Sequence, residues 1–344
     1  MRKAEEIEQL KTLSAADQAE LMGKKPAPKG PQLFFRTTQI KPLDRRKIIP
    51  VKSGVGAIDK KIGGFNLGEL SIWSGSNGSG KSTFLNQMSI EAANQEFKAA
   101  IFTGELKPER EMYWLHLQAA GPNYVQKAQN DNYYYVPLET SRKFDVWAEN
   151  KIFIYNNQAG LKADSVIKAL RTCAEKEKIN LVILDNLMSL QLGGGDKYEQ
   201  QAALVLELSQ FAKDCNVHVH FVAHPRKSIA FLRKTDISGT ADITNAADNV
   251  FVIHRLNKDF EKQSKEFFGF DKGHPLYTSG FSNIIEICKN RDLGVQDELI
   301  GIFFDQSSKR FLNSTGEVKA YGWEGQHTSS GLEGFEPCSD ESPF

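Results

Sequence analysis

Apolar and polar positions change rhythm along this chain, and the change marks its parts. From about residue 50 to residue 320, short β-rich apolar runs alternate with stretches of helical period. The runs at 70–74, 99–103, 152–155, 181–185, 217–223, 249–254, 284–289 and 299–304 predict strands. Several, such as Leu181-Val182-Ile183-Leu184, are continuously apolar rather than alternating, as strands buried on both faces are. Patterns at 82–95, 107–120, 165–178 and 198–214 predict helices. Strand–helix alternation implies crossover units and an α/β fold, a mostly parallel sheet with helices on both faces. Ligands of such folds sit at the carboxyl ends of the strands.

The flanks differ. Residues 1–50 carry 11 Lys/Arg against 6 Asp/Glu. Residues 4–22 predict a helix with a thin apolar stripe, and the Pro/Gly/Lys run at 24–31 reads as a linker. A thin-striped helix cannot hold a core alone, so docking on a neighbouring subunit is one expectation and a loose leader the other. Residues 323–344 hold five acids and no Lys or Arg, and read as an acidic flexible tail ending in Phe344. The expected division is therefore 1–50, a single large body at 51–322, and 323–344.

Composition fits a globular body: 344 residues, 40% apolar and 25% charged. Lys plus Arg and Asp plus Glu both number 43, which disfavours a uniformly basic nucleic-acid coat but leaves local patches open. No apolar run approaches a membrane span, and the N-terminus lacks an apolar signal core. The four cysteines, Cys173, Cys215, Cys288 and Cys338, form no CxxC pair. A zinc ribbon, priming chemistry built on one, and a disulfide framework are not expected; a reducing, cytoplasmic compartment is.

The strongest chemical signal is Gly75-Ser76-Asn77-Gly78-Ser79-Gly80-Lys81-Ser82-Thr83, which fits GxxxxGK[ST] between an apolar strand and a helical pattern. Backbone N–H groups of such a loop wrap phosphate, and the helix N-terminus adds positive partial charge. Lys81 reaches the outer phosphates, and the Ser82 hydroxyl is a candidate Mg²⁺ ligand. Asp185, closing the run Leu181-Val182-Ile183-Leu184, is the candidate second metal anchor. Glu105, just after the strand 99–103, either polarises an attacking water or is an acid favoured at a helix start.

In their order, these motifs resemble the hexameric superfamily 4 replicative DNA helicases, nearest the Twinkle and phage primase-helicase group. The entry Gly63-Gly64-Phe65-Asn66-Leu67-Gly68-Glu69-Leu70 resembles that of RecA-like P-loop cores. The carrying stretches are Phe102-Thr103-Gly104-Glu105-Leu106, Leu184-Asp185-Asn186-Leu187, Val222-Ala223-His224-Pro225-Arg226-Lys227, Ala246-Ala247-Asp248-Asn249-Val250 and Cys288-Lys289-Asn290-Arg291. The resemblance spans roughly residues 50–315 and implies a role for each match. Glu105 becomes the catalytic glutamate, Asp185 the Walker B acid and His224 the γ-phosphate sensor. Lys289 and Arg291 become a trans-acting pair, with Arg291 an arginine finger reaching the neighbouring subunit's nucleotide.

The resemblance also implies ATP or dTTP with Mg²⁺, single-stranded or forked DNA as the track, and a homo-oligomeric ring, expected to be a hexamer. Its central DNA loops match Gly194 and Lys197 in one segment, and Arg226, Lys227, Arg233 and Lys234 in another. The tail ending in Phe344 resembles tails that contact a DNA polymerase or another replisome protein; a bacterial or phage-infected cell would be the setting. Two departures stand out. Asn245 replaces the family's usual Gln, and only Gly294 represents the two glycines expected after Arg291. A RecA- or RadA-like recombinase filament is the alternative, and a regulatory P-loop ATPase without nucleic acid is a third reading.

Overall fold

The computed structural model describes residues 34–129, 132–186, 189–191, 196–225, 231–237 and 241–325, without the side chains of 197, 198, 241 and 242. The helix expected at 4–22, the linker at 24–31 and most of the tail lie outside them. The chain divides into two units, Met1–Ile48 and Ile49–Phe344. The described part of the first is two single-turn 3-10 helices, Thr37–Gln39 and Arg45–Lys47, the second capped by the Asp44 carboxylate on the Arg46 N–H.

In the second unit the helices are α1 (Gly56–Ile62), α2 (Lys81–Asn94), α3 (Pro108–Ala120), α4 (Leu138–Ala148), α5 (Ala163–Glu177), α6 (Lys197–Cys215), α7 (Ala241–Ala246), α8 (Lys258–Phe268) and α9 (Pro275–Thr278). The strands are β1 (Leu70–Ser74), β2 (Ala99–Thr103), β3 (Gln126–Lys127), β4 (Tyr134–Tyr135), β5 (Ile152–Ile154), β6 (Leu181–Asp185), β7 (His218–Val222), β8 (Asn249–Arg255), β9 (Asn283–Asn290), β10 (Glu298–Asp305) and β11 (Arg310–Leu312).

Nine strands form one sheet in the order β11-β10-β9-β8-β1-β7-β6-β2-β5. From β8 to β5 every pairing is parallel; β9, β10 and β11 continue it antiparallel. All five residues of β1, β2, β6 and β7 are buried; this accounts for the apolar runs of β2 and β6, while β1 and β7 also bury Ser71, Ser74, His218 and His220. One face packs Val166, Ile167 and Leu170 of α5 with Leu204, Leu208 and Phe211 of α6. The other packs Ile58 of α1, Phe84, Leu85 and Met88 of α2, Leu115 of α3 and Phe144 of α4. Each such side chain contributes about 1.5–3 kcal/mol of apolar burial. No helix among the described residues is long and apolar enough to cross a membrane.

Three features lie beyond what the sequence pattern predicts. The segment 257–280 holds α8 and α9, which pack on a hydrophobic cluster of Phe231, Phe260, Leu276 and Ile284. The strand β11 closes the sheet beyond β10. The packed core also runs past residue 322: Trp323 is buried and its indole N–H donates to the Ala119 carbonyl at 3.0 Å.

Candidate nucleotide site

The loop from Gly75 to Thr83 joins the end of β1 to α2. Gly75 has a φ of 154°, and a Cβ there would lie 2.3 Å from the Ile253 carbonyl oxygen on β8. Gly80 caps α2 in the left-handed region at φ 96°, which a side chain would strain. The Lys81 ammonium is folded back, donating to the carbonyls of Gly75 at 2.8 Å and Ser76 at 3.0 Å. Burial lowers its proton affinity, and the carboxylates of Asp185 and Glu105 oppose that.

The carboxyl ends of β6, β2 and β7 bring three further predicted residues to this loop. Burial pushes the Asp185 carboxyl above the ordinary range, opposed by its hydrogen bond with the Ser82 hydroxyl. Glu105 accepts a hydrogen bond from the Asn186 amide, and its Oε1 lies 3.8 Å from His224 Nε2. Asn157 fixes the turn that carries Glu105 by donating to the carbonyls of Thr103 at 2.7 Å and Leu106 at 3.0 Å. Burial, helped by the Lys81 charge, holds His224 below its usual pKa against the pull of Glu105. A neutral imidazole there both donates and accepts.

Lys81, Ser82, Glu105, Asp185, Asn186 and His224 line one cleft of about 910 Å³. Its other wall consists of Trp114, Arg255, Asn283, Phe304 and Phe311, none of which the sequence reading singled out. Arg255 had a legible signal, since it closes a strand parallel to β1 at the same sheet edge. Phe304 and Phe311 pack at 5.0 Å between ring centroids, and Arg255 lines the same cleft. Glu111 of α3 was also missed. It is 1% exposed, its Oε1 has no hydrogen-bond partner, and burial together with the Asp185 charge raises its pKa to about 8.

Lys289 and Arg291 do not join this cleft. β9 runs antiparallel to β8, with Asn290 opposite Asn249, the first residue of β8. The pair therefore lies at the opposite edge of the sheet, one seven-residue strand or roughly 20 Å from the P-loop edge. Lys289 donates to the carbonyls of Thr244, Asn245 and Ala247. Arg291 bonds Asp248 Oδ1 at 2.7 Å and the carbonyls of Asn245 and Ala247. Both cations thus cap the carboxyl end of α7, where the helix dipole favours them. Burial, then the charges of Arg291 and Lys234, lower the Lys289 pKa to about 8, opposed by Asp248.

The expected DNA contacts divide. Gly194, Arg226 and Lys227 lie outside the described residues, as does the side chain of Lys197. Lys234 begins the 3-10 turn Lys234–Asp236. Arg233, expected to face DNA, is committed elsewhere: it binds Glu286 and Asp297 and lies over the Phe267 ring at 4.5 Å. Two carboxylates satisfy its charge, so it is not a free phosphate contact.

A family model for the DnaB-like helicase C-terminal domain matches residues 50–313. A replicative DNA helicase DnaB of Helicobacter pylori is 23% identical over 61% of this chain and 44% of its own length. One from Mycoplasma genitalium is 24% identical over 66% of this chain and 51% of its own. The chain thus spans about half the length of these relatives. Among solved structures, an ATPase domain aligns with a TM-score of 0.60 at 15% identity, covering 77% of this chain and 92% of that one. A DnaB-like replicative helicase, described with its interactions with primase, gives the same score and identity over 77% of this chain and 62% of its own. At that identity these likenesses establish the fold: the RecA-like arrangement of the DnaB ATPase domain.

Proposed function

The chain belongs to the DnaB-like helicase C-terminal domain family, and on that premise we propose that it is the motor of a ring-shaped, NTP-hydrolysing replicative DNA helicase. The observation that carries the reading is the split between sheet edges. Lys81, Asp185, Glu105 and His224 converge on one cleft, while Lys289 and Arg291 sit on the far edge. A site whose finger cannot reach its own nucleotide calls for a second subunit, and repeated head-to-tail contacts close into a ring.

In this reading the backbone N–H groups of residues 76–83 hold the phosphates of ATP or dTTP, and Lys81 turns from its carbonyls to the outer phosphates. Ser82 and Asp185 would hold Mg²⁺; the hydroxyl–carboxylate pair and the buried acid fit a hard cation. That ion, when bound, neutralises charge on the phosphate oxygens. Glu105, oriented by Asn186, takes the proton of the attacking water. His224 contacts the terminal phosphate and links its loss to the segment that follows. Lys289 and Arg291 of the adjacent subunit stabilise the developing charge.

Arg226, Lys227 and Lys234, with Lys197 and the backbone at Gly194, track single-stranded DNA at a forked duplex. Their contacts to phosphate predict salt-dependent, sequence-independent binding. Arg255, Phe304 and Phe311 form the nucleobase wall. The assembly is a homo-hexamer in the cytoplasm of a bacterial or phage-infected cell, and the tail ending in Phe344 engages a DNA polymerase or another replisome protein.

Unwinding of a forked duplex tests the reading. The wild-type chain separates strands only with nucleotide and Mg²⁺, and Lys81→Ala lowers hydrolysis about a hundredfold or more. Hydrolysis without strand separation, accompanied by filament formation on single-stranded DNA, would sink the helicase reading in favour of a recombinase.

A further inference from the structure

Trp114 lines the nucleotide cleft from α3. It stands one helical turn before Gln118, so the two side chains share a face of the helix. The Gln118 amide donates to the Thr83 carbonyl at 2.6 Å and to the Lys309 carbonyl at 3.0 Å. That face of α3 is therefore held against the end of the phosphate loop and against the turn between β10 and β11. From the turn, the Lys309 ammonium reaches over the indole, 5.3 Å from the ring centre.

The same turn carries the aromatic wall. Phe304 and Phe311 are directly opposed residues of β10 and β11, so their side chains share one face of the hairpin. The Asp305 carboxylate fixes the turn by accepting from the Ser307 hydroxyl at 2.6 Å and the Ser308 N–H at 2.7 Å. Arg310 ties it to the Gln118 and Ala119 carbonyls of α3. Two elements that bring rings into one cleft are thus joined by hydrogen bonds, and a ligand meets those rings already in place.

A nucleoside triphosphate has one direction to lie in this cleft. Glu105 and His224 mark the end where the terminal phosphate meets the attacking water. The loop 75–83 holds the phosphates, so the nucleoside emerges past Thr83, where Trp114, Phe304, Gln306 and Phe311 line the cleft. Stacking is the recognition that such rings offer. It reads the face of a base rather than its edge, and it grows with the overlapping area, which is larger for a fused purine than for a pyrimidine. Lys309 braces the indole through a cation–π contact.

We propose that Trp114 is a nucleobase-stacking residue, and that it makes the site hold purine nucleoside triphosphates more tightly than pyrimidine ones. The proposal rests on the NTP-hydrolysing reading above and narrows its choice between ATP and dTTP to ATP.

The test measures binding of three probes to the full chain: the β,γ-imido analogues of ATP and dTTP, which resist hydrolysis, and inorganic tripolyphosphate, which has phosphates and no base. Wild type, Trp114→Leu and Trp114→Phe are compared by calorimetry. Wild type holds the ATP analogue about fivefold or more tighter than the dTTP analogue. Trp114→Leu weakens the ATP analogue about tenfold, narrows that gap and leaves tripolyphosphate unchanged, while Trp114→Phe keeps most of the affinity. Equal losses for the ATP analogue and tripolyphosphate overturn the proposal, because the indole then supports the phosphate loop and not the base. Unchanged affinity in Trp114→Leu, or equal wild-type affinity for the two analogues, also overturns it. Should Trp114→Leu fail to fold, the wild-type indole emission decides: the ATP analogue quenches it more than tripolyphosphate does, and an equal response to both overturns the proposal. A wild-type chain that binds neither the ATP analogue nor tripolyphosphate removes the nucleotide reading and this proposal with it. Hydrolysis without strand separation, with the binding differences intact, supports the proposal while sinking the helicase reading.

Discussion

His218 and His220 stand side by side in β7, fully buried, their rings 4.6 Å apart. Ser71 and the Asn66 carbonyl partner His218, and the Trp73 indole donates to His220 Nδ1 at 2.9 Å. Burial lowers the His218 pKa to about 4 and holds His220 well below its usual value. An unfolded imidazole takes its proton near pH 6.5, so between about 6.5 and 4 the unfolded chain binds more protons. The stability these residues allow is present above pH 6.5 and lost as pH falls towards 4. For His218 alone the loss is about 3 kcal/mol. Glu111 has the opposite sign. Its pKa is raised to about 8, so the folded chain holds that proton more tightly, and stability falls as pH rises from about 4.5 through 8.

The two effects oppose each other between pH 4.5 and 6.5, and they separate above it. Without nucleotide or Mg²⁺, the midpoint of thermal unfolding should drop by several degrees from pH 6.5 to pH 8.5, corresponding to about 2 kcal/mol. Glu111→Gln should flatten that limb and expose the full histidine loss on the acid side. A variant with the wild-type alkaline slope would show that Glu111 ionises freely, and an acid side without any loss of stability would do the same for the buried histidines.

Elements differ in how legible they are, and the reason is length and surroundings. β2 and β6 are apolar on both faces, so each prints a run that no other local structure explains as well, whereas β1 and β7 mix apolar residues with Ser71, Ser74, His218 and His220. The P-loop is legible from its own motif, Asp185 and Glu105 from where an apolar run ends, and His224 only through the family resemblance. β11 has three residues, too few for a period, and its partner is chosen by tertiary contacts. α8 carried signals that could have been used: Asn257 caps its first turn through the Phe260 N–H, and Gly269 closes it in the left-handed region. Arg233 and Arg310 were illegible for another reason. A cation facing DNA and a cation clasping buried acceptors are the same letter, and only the fold separates them.

Arg310 makes the point quantitative. It is 1% exposed and donates to the carbonyls of Gln118, Ala119 and Lys319 at 2.8, 2.9 and 2.7 Å. It thereby ties β11 to the open carboxyl end of α3, with its guanidinium 4.8 Å from the Tyr321 ring centre. Hydrogen bonds from a charged donor are worth more than neutral ones, and orphaned buried carbonyls add a desolvation cost. Arg310→Met should therefore lower unfolding stability by about 3–5 kcal/mol in urea titration. A loss below about 1 kcal/mol would mean that water replaces the guanidinium and that β11 is held by Phe311 packing instead.

At the scale of the whole molecule, the sheet separates the residues that the proposed hydrolysis would have to bring together. Within one subunit Arg291 lies at the amino-terminal edge of the parallel strands, and the P-loop lies at their carboxyl edge. No side-chain rotation spans a strand's length, so Arg291 acts on a neighbour's nucleotide or on none. In the single chain it rests on Asp248 and the end of α7, a pose it must leave to reach across a subunit boundary. Mixing two inactive variants exposes this. Lys81→Ala keeps its finger and lacks a working phosphate loop; Arg291→Ala keeps the loop and lacks the finger. Each alone should hydrolyse NTP poorly. In equimolar mixed assemblies, about a quarter of the subunit boundaries join an intact loop to an intact finger, as head-to-tail contacts with random order require. Hydrolysis should therefore return on mixing, and only under conditions in which subunits exchange. Full activity in Arg291→Ala by itself, or no recovery from mixed assemblies shown to contain both variants, would defeat the claim that the site is completed in trans.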